Sequence, residues 1–215
     1  MTNLSEAAPH RLLGLYDSPF VRRVAVSMHL YGIPFEHVSL SVFRQMDAMR
    51  PINPLFKVPM LTLPNGETLY ESAYILDYLD ELACERGLAA LIPRQGAERR
   101  QVQQLMALAT VATEKAVAIE YEHKRPRELL WAEWTDRLRG QMRQAFAMLE
   151  EKLVGDFLFG NRLTQADITT VSGIGFVRYV RPDEWAAVAS ACPALSALAD
   201  RLEASAAFQA VPIDQ

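Results

Sequence analysis

The sequence predicts an α/β domain at residues 10–86 followed by an all-helical domain at residues 96–215. In the first part, short apolar runs of strand length alternate with helical spacings and are separated by glycine and proline. Beyond a link of about ten residues that contains Pro93, nearly every apolar spacing is helical. With 215 residues, half of them apolar, the chain is long enough to bury the core of one large or two small domains.

The first three elements form a β-α-β unit. Arg11–Tyr16 is an apolar run of strand length, and 18–31 carries apolar residues at helical spacing until Gly32 and Pro34 end it. Phe35–Leu40 then forms a second strand. A strand, a crossover helix and a strand predict parallel pairing.

The rest of the first part continues this pattern. We expect one short helix at 42–49, then strands at 59–63 and 67–70 joined through Asn65-Gly66, a strong hairpin signal. A helix with an apolar face begins at Ser72. The resulting order β-α-β-(α)-β-β-α is the thioredoxin-like arrangement.

The second part reads as a bundle of about five helices. Two long ones are predicted at 101–120 and 129–153. Thr164 and Asp167 have the spacing of a capping box at the start of another helix. This spacing favours a structural role for Asp167 over a catalytic one, because it needs no substrate to explain it.

Composition excludes several classes of protein. A net charge of −4 and a pI near 5.6 argue against broad binding to nucleic acid or to anionic membranes. The first nine residues carry no hydrophobic signal region, so a cytoplasmic location is expected. Cys84 and Cys192 are far apart, and the four histidines have no ligand spacing, so we expect neither a disulfide framework nor a metal.

Ser18-Pro19 marks the start of the first helix. The serine oxygen can accept a hydrogen bond from an unpaired amide, and proline fits the first helical position. The same geometry leaves a hydroxyl and unpaired amides at the end of the sheet, where an anion such as a thiolate can bind. Ser18 is therefore either a helix cap alone or also an active-site group.

Four motifs occur in order along the chain: Ser18-Pro-Phe-Val-Arg-Arg, Asn53-Pro-Leu-Phe-Lys-Val58-Pro59, Glu71-Ser72 and Thr164-Gln-Ala-Asp167. Together they resemble those of cytosolic glutathione S-transferases, and of bacterial members with a serine near the amino terminus in particular. The resemblance extends from about Arg11 to Phe208. It implies glutathione as co-substrate, a homodimer, and a role in detoxification through attack on small hydrophobic electrophiles.

The resemblance also assigns roles to particular positions. Val58, before a cis Pro59, would offer its backbone to the cysteinyl part of glutathione, or Pro59 would simply begin an edge strand. Glu71 and Ser72 would hold the γ-glutamyl end, where the serine and helix amides bind the α-carboxylate. Lys57 would pair with the glycyl carboxylate or remain solvated.

At the thiol end, the resemblance makes Ser18 the activating group. Tyr16 is the alternative, because strand alternation would place it on a similar side, and other branches of the family use a tyrosine. Phe20 would line the thiol pocket or pack in the core. Arg22 and Arg23 read most simply as a solvated helix face, although an arginine here could help retain an anion.

The electrophile pocket is not predicted by the sequence. Met106, Tyr121, Trp131 and Phe176 are candidates, but all four also fit as core residues. Besides the transferase, two other functions share this scaffold: a glutathione-dependent isomerase or thiol-transfer enzyme, and a non-catalytic protein-interaction module. The lack of a cysteine near Ser18 weakens the thiol-transfer version.

Overall fold

The computed structural model of the chain describes residues 8–213, whose contacts divide them into one unit up to Ala89 and a second from Ala90 onward. Two stretches lie outside the described residues. One is residues 1–7, which make up most of the predicted polar segment at the amino terminus, and the other is the last two residues of the second predicted domain. The first unit holds a small mixed sheet with helices, and the second is helical. The predicted fold class, thioredoxin-like followed by all-α, is confirmed.

The sheet has four short strands in the order β2-β1-β3-β4. Strand β1 pairs with β2 in parallel and with β3 antiparallel, and β4 closes the sheet as an antiparallel neighbour of β3. The parallel β1–β2 pair follows from the β-α-β crossover, and the antiparallel β3–β4 pair follows from the hairpin turn. The strands are β1 (His10–Leu13), β2 (Phe35–Val38), β3 (Met60–Thr62) and β4 (Thr68–Tyr70).

Three helices complete this unit: α1 (Pro19–Leu30), α2 (Met46–Met49) and α3 (Ser72–Glu85). Helix α1 packs against α3, and each has a buried apolar face. The Tyr31 hydroxyl, just past the end of α1, donates a hydrogen bond to the buried Asp80 carboxylate on α3. This bond joins the two helices away from their amino-terminal ends.

Strand β1 is shorter than predicted. It ends at Leu13, because Gly14 has φ +127° and the chain then turns before α1. The argument that strand alternation places Tyr16 and Ser18 on one side is therefore wrong, since neither residue lies in a strand.

The predicted helix at 42–49 is also shorter, and α2 begins only at Met46. The Ser41 hydroxyl accepts hydrogen bonds from the amides of Phe43 and Arg44, and the Gln45 side chain accepts one from the Ser41 amide. These local side-chain bonds compete with the helical pattern over 42–45.

The second unit contains six α-helices among its described residues, one more than expected: α4 (Gly96–His123), α5 (Ala132–Glu150), α6 (Gln165–Val180), α7 (Pro182–Ala189), α8 (Pro193–Glu203) and α9 (Ala206–Gln209). Helix α5 begins three residues later than predicted. A 3-10 turn at Arg127–Leu129 precedes it, and the Glu122 carboxylate accepts the Trp131 amide hydrogen bond at 3.2 Å.

Helix α6 lies at the centre of this unit and is buried along most of its length. Its predicted capping box is confirmed. The fully buried Asp167 accepts from the Thr164 amide and hydroxyl, both at 2.8 Å, and from the Leu158 amide at 2.7 Å. Burial raises the pKa of the Asp167 carboxyl, although these donors oppose the shift. Across residues 8–213, no helix is long and apolar enough to cross a membrane.

Candidate functional site

Ser18 is the N-cap of α1. Its backbone is extended, with φ −69° and ψ 118°, and its hydroxyl oxygen accepts a hydrogen bond from the Val21 amide at 3.4 Å. Pro19 occupies the first helical position, as the sequence predicts. The Ser18 side chain is only half-buried. The hydroxyl thus caps the helix at a place that solvent reaches.

Tyr16, the alternative to Ser18, is buried. Its ring stacks on His37 with the ring centroids 3.9 Å apart and the planes 7° from parallel. The His37 Nε2 atom in turn lies 2.6 Å from the Gly14 carbonyl oxygen. Both contacts fix the turn between β1 and α1, and they make the Tyr16 ring part of the packing of that turn.

Gly14 is a residue of this region that the sequence reasoning missed. A Cβ atom built on it would lie 2.6 Å from Val21 Cγ2 and 2.9 Å from Val58 Cβ. Glycine is required here both for its positive φ and for this close approach. Because Gly14 has no side chain, both Val58 and Val21 in the first turn of α1 can approach it closely. A glycine at the end of an apolar strand is the signal that could have identified it.

The Val58-Pro59 peptide bond is cis. The buried Asn53 shapes the loop before it: its side-chain amide donates to the Lys57 carbonyl at 2.7 Å, and its carbonyl accepts from the Leu55 amide at 3.1 Å. Strand β3 begins directly after this peptide. The half-buried Val58 therefore lies at the amino-terminal end of β3, and because β3 is an inner strand, the expectation that Pro59 begins an edge strand is wrong.

Glu71 and Ser72 lie at the start of α3. Glu71 is the N-cap and has φ +66°, while Ser72 is the first helical residue and is fully buried. The Ser72 hydroxyl oxygen accepts from Arg23 Nη2 at 2.6 Å and from Arg23 Nε at 3.2 Å. The same hydroxyl donates to Glu71 Oε1 at 3.4 Å.

The expectation that Arg22 and Arg23 form a solvated helix face is wrong. Both side chains are buried, at 2% and 3% exposure. Arg23 faces the start of α3, and its guanidinium carbon lies 5.3 Å from the centroid of the half-buried Phe20 ring. Adjacent charged residues in a helix suggested solvent, but α3 covers the side of α1 on which Arg23 lies.

Lys57 forms an ion pair with Glu71, with 2.9 Å between Nζ and Oε2. The pair is open to solvent, since the Lys57 side chain is 73% exposed and that of Glu71 is 41% exposed. Burial raises the pKa of the Glu71 carboxyl, but Lys57, Arg23 and the Ser72 hydroxyl outweigh burial and hold it below its ordinary value. Glu71 therefore remains a carboxylate at neutral pH.

These contacts join the predicted segments. Gly14 brings the loop at Val58 against α1, and Arg23 joins α1 to the start of α3. The Lys57–Glu71 pair joins the loop to α3. Within residues 8–213, no group of three or more histidine, cysteine or carboxylate side chains is arranged to hold a metal ion.

The four candidates for an electrophile pocket differ in burial. Met106 and Phe176 are buried, as the core interpretation predicts. Tyr121 and Trp131 are 50% and 58% exposed, so the expectation that they fit as core residues is wrong. Helical spacing did not distinguish them: Tyr121 lies in the last turn of α4, and Trp131 is the N-cap residue of α5.

Comparison with known proteins identifies the family. Residues 12–87 match the family model for the glutathione S-transferase N-terminal domain, and residues 132–202 match the model for the C-terminal domain. The chain belongs to the glutathione S-transferase family. The recognition of this family from its motifs is confirmed.

Solved bacterial structures agree with this glutathione S-transferase assignment. A glutathione S-transferase from Methylobacterium radiotolerans, in complex with glutathione sulfonate, is 28% identical, with a TM-score of 0.86 and 97% coverage of both chains. A glutathione transferase family member from Pseudomonas fluorescens Pf-5, with bound glutathione, is 30% identical, with a TM-score of 0.82, over 96% of this chain and all of that one. The uncharacterised GST-like protein YibF of Escherichia coli is 27% identical over 80% of this chain and 83% of its own.

Proposed function

We propose that this protein is a glutathione transferase in which Ser18 activates the glutathione thiol for attack on a small hydrophobic electrophile. The observation that carries the proposal is the convergence of three segments: the amino-terminal end of α1, the loop before cis Pro59 and the start of α3. Glutathione bound in the bacterial relatives supports the same ligand here.

The chemistry requires a thiolate. A free thiol with a pKa near 8.5 is only a few per cent ionised at neutral pH. A hydrogen bond from the Ser18 hydroxyl, at the positive end of α1, stabilises the charged form and lowers the thiol pKa. One charge-assisted hydrogen bond of about 1.5–3 kcal/mol is enough to lower it by about one to two units. The thiol proton passes to solvent. The thiolate then forms a carbon–sulfur bond to the electrophile, and either a leaving group departs with the electron pair of the bond it breaks or a carbon–carbon π bond opens and takes up a proton from water.

The remaining site residues would bind the tripeptide. The backbone of Val58, before cis Pro59, would pair with the cysteinyl part, and Phe20 would line the thiol pocket. Glu71 and Ser72 would hold the γ-glutamyl end, and Lys57 would leave Glu71 to reach the glycyl carboxylate. The exposure of the Lys57 side chain supports such a movement.

We further propose that the two domains are residues 10–86 and 96–215, and that the protein is a cytoplasmic homodimer acting in detoxification. Its partners would be glutathione and the electrophile, with no nucleic acid, membrane or metal involved. The division of contacts near Ala89 supports the two-domain organisation.

Retention on immobilised glutathione tests the ligand. Failure of the folded wild-type protein to bind would end the transferase hypothesis and favour a non-catalytic interaction module.

The pH–rate profile for conjugation tests Ser18. Ser18→Ala removes both the hydroxyl and the cap, whereas Ser18→Gly removes the hydroxyl at a cap cost of only a few tenths of a kcal/mol. We expect both variants to lose about tenfold to a hundredfold in kcat/KM near neutral pH and to raise the apparent thiol pKa. Tyr16→Phe is the matched hydroxyl control. A larger loss there would transfer the activating role to Tyr16.

A further inference from the structure

Arg23 makes an unusual pair of contacts for a buried arginine. Two of its N–H groups, Nη2 and Nε, both point at one oxygen, the Ser72 hydroxyl, at 2.6 and 3.2 Å. Burying a guanidinium costs several kcal/mol unless acceptors satisfy it. Here the Ser72 hydroxyl accepts two of the guanidinium hydrogens, and the nearby Glu71 carboxylate, whose pKa Arg23 helps to lower, offsets part of the charge.

The two contacts determine what the Ser72 hydroxyl can do. A hydroxyl has two acceptor lone pairs and one hydrogen to donate. Arg23 fills both lone pairs, so only the hydrogen remains for a further bond. A hydroxyl in this state can bond an acceptor but has no lone pair for another N–H or O–H donor.

The remaining hydrogen now points at Glu71 Oε1 across 3.4 Å. This is long for an O–H···O bond, for which about 2.7–2.8 Å is usual. The Glu71 side chain is partly exposed, whereas Ser72 beside it is fully buried. A ligand carboxylate can therefore replace Glu71 Oε1 as the acceptor once the Glu71 side chain turns toward solvent or toward a ligand ammonium group.

We infer that Arg23 is a positioning residue that makes the Ser72 hydroxyl an obligatory donor and so selects a carboxylate at the γ-glutamyl end of the ligand. The inference rests on the proposed function, because it takes glutathione as the ligand. Arg23 acts through Ser72 and through its positive charge beside the same oxygen. Its role is distinct from activation of the thiol at Ser18.

The test compares two ligands in isothermal titration calorimetry. One is glutathione, and the other is its analogue with 4-aminobutyrate in place of glutamate, which keeps the amine but lacks the α-carboxylate. In the wild type we expect glutathione to bind about tenfold to a hundredfold more tightly, as one charge-assisted hydrogen bond provides. Arg23→Lys removes the two-pronged contact and keeps the charge, so the preference should fall at least severalfold, with binding of the analogue unchanged.

Arg22→Lys is the matched control, because Arg22 is the neighbouring residue of α1 and is equally buried. It should leave the preference unchanged. Ser72→Ala should abolish the preference, and Arg23→Lys should have no further effect on it in that background. In steady-state assays, Arg23→Lys should raise the KM for glutathione and leave kcat unchanged.

The outcomes separate the two hypotheses. If the wild type binds neither ligand, the proposed function fails. If the wild type prefers glutathione and Arg23→Lys keeps that preference, or weakens both ligands equally, the inference about Arg23 is overturned while the proposed function stands.

If Arg23→Lys does not fold, the Nε–H resonance of Arg23 in the wild type serves instead, assigned by its shift in Ser72→Ala. It should move when glutathione is added and stay in place when the analogue is added. The same shift with both ligands would overturn the inference.

Discussion

Gly14→Ala tests whether the close approach of β1, α1 and the loop at Val58 organises the site. The new Cβ atom would lie 2.6 Å from Val21 Cγ2 and 2.9 Å from Val58 Cβ, closer than side-chain carbons approach in proteins. Neither neighbour yields easily. The Val58 Cβ is attached directly to the backbone, and a helical valine strongly prefers one rotamer. The substitution therefore has to displace backbone.

Two costs add in this variant. A non-glycine residue at φ +127° is strained by about 1–3 kcal/mol, and overpacking of a tight contact costs about 1–3 kcal/mol more. The free energy of unfolding should fall by about 2–6 kcal/mol, against a total of about 5–15 kcal/mol for a typical domain. The displaced Val58 backbone should also weaken glutathione binding in protein that remains folded.

Urea unfolding followed by circular dichroism measures the effect, and Gly32→Ala is the control. Gly32 also has a positive φ, +60°, but a Cβ atom there meets no heavy atom within 4 Å. Its substitution should cost only the conformational term, about 1–2 kcal/mol. In the Val21→Ala background, Gly14→Ala should cost less, because one of the two clashes is gone. If Gly14→Ala is no more destabilising than Gly32→Ala, the packing argument is refuted.

Three further predictions concern single side chains. Lys57→Met should change the free energy of unfolding by less than about 1 kcal/mol, because the Lys57–Glu71 pair is exposed, yet weaken glutathione binding severalfold in calorimetry. Lys57→Met should not weaken binding of the glycyl ethyl ester of glutathione, in which the glycyl carboxylate is blocked. An equal loss of affinity for both ligands would mean that Lys57 acts only through its ion pair with Glu71. Asp167→Ala leaves three buried donors without an acceptor, so urea unfolding should show a loss of about 3–5 kcal/mol, and a loss below 1 kcal/mol would contradict the cap's importance. Burial, aided by Arg86, lowers the pKa of His10, so its stabilising contribution is present above pH 6.5 and is lost as pH falls through the lower folded pKa. His10→Asn should flatten that loss between pH 7.5 and 5.5, and parallel profiles for the two proteins would contradict it.

Local signals accounted for most elements and for the identity of the candidate residues. Ser18 before Pro19 predicted the start of α1 to the residue, and the spacing of Thr164 and Asp167 predicted the cap of α6. Both motifs act within four residues, so their physical cause is contained in the sequence itself. The family resemblance then drew attention to Val58-Pro59 and to Glu71-Ser72.

Local signals failed where an interaction joins distant parts of the chain. Nothing near Arg23 indicates that it meets Ser72, 49 residues later, and a pair of charged helix residues is usually solvated. Tyr16 is the alternative to Ser18, and nothing near it in the sequence indicates that its ring stacks on His37. The early end of β1 depends on Gly14, which is required by its positive φ and by the close approach of Val21 and Val58.

The sequence by itself determined the order of helices and strands, the caps that begin α1 and α6, and the family. These depend on backbone preferences and on hydrogen bonds between near neighbours. Only the tertiary structure decided that Arg23 is buried against Ser72 and that Lys57 pairs with Glu71. It also decided that Val21 of α1 and Val58 both lie close to Gly14. The physical reason is that burial and charge pairing depend on which surfaces meet, and those surfaces come from segments far apart in the chain.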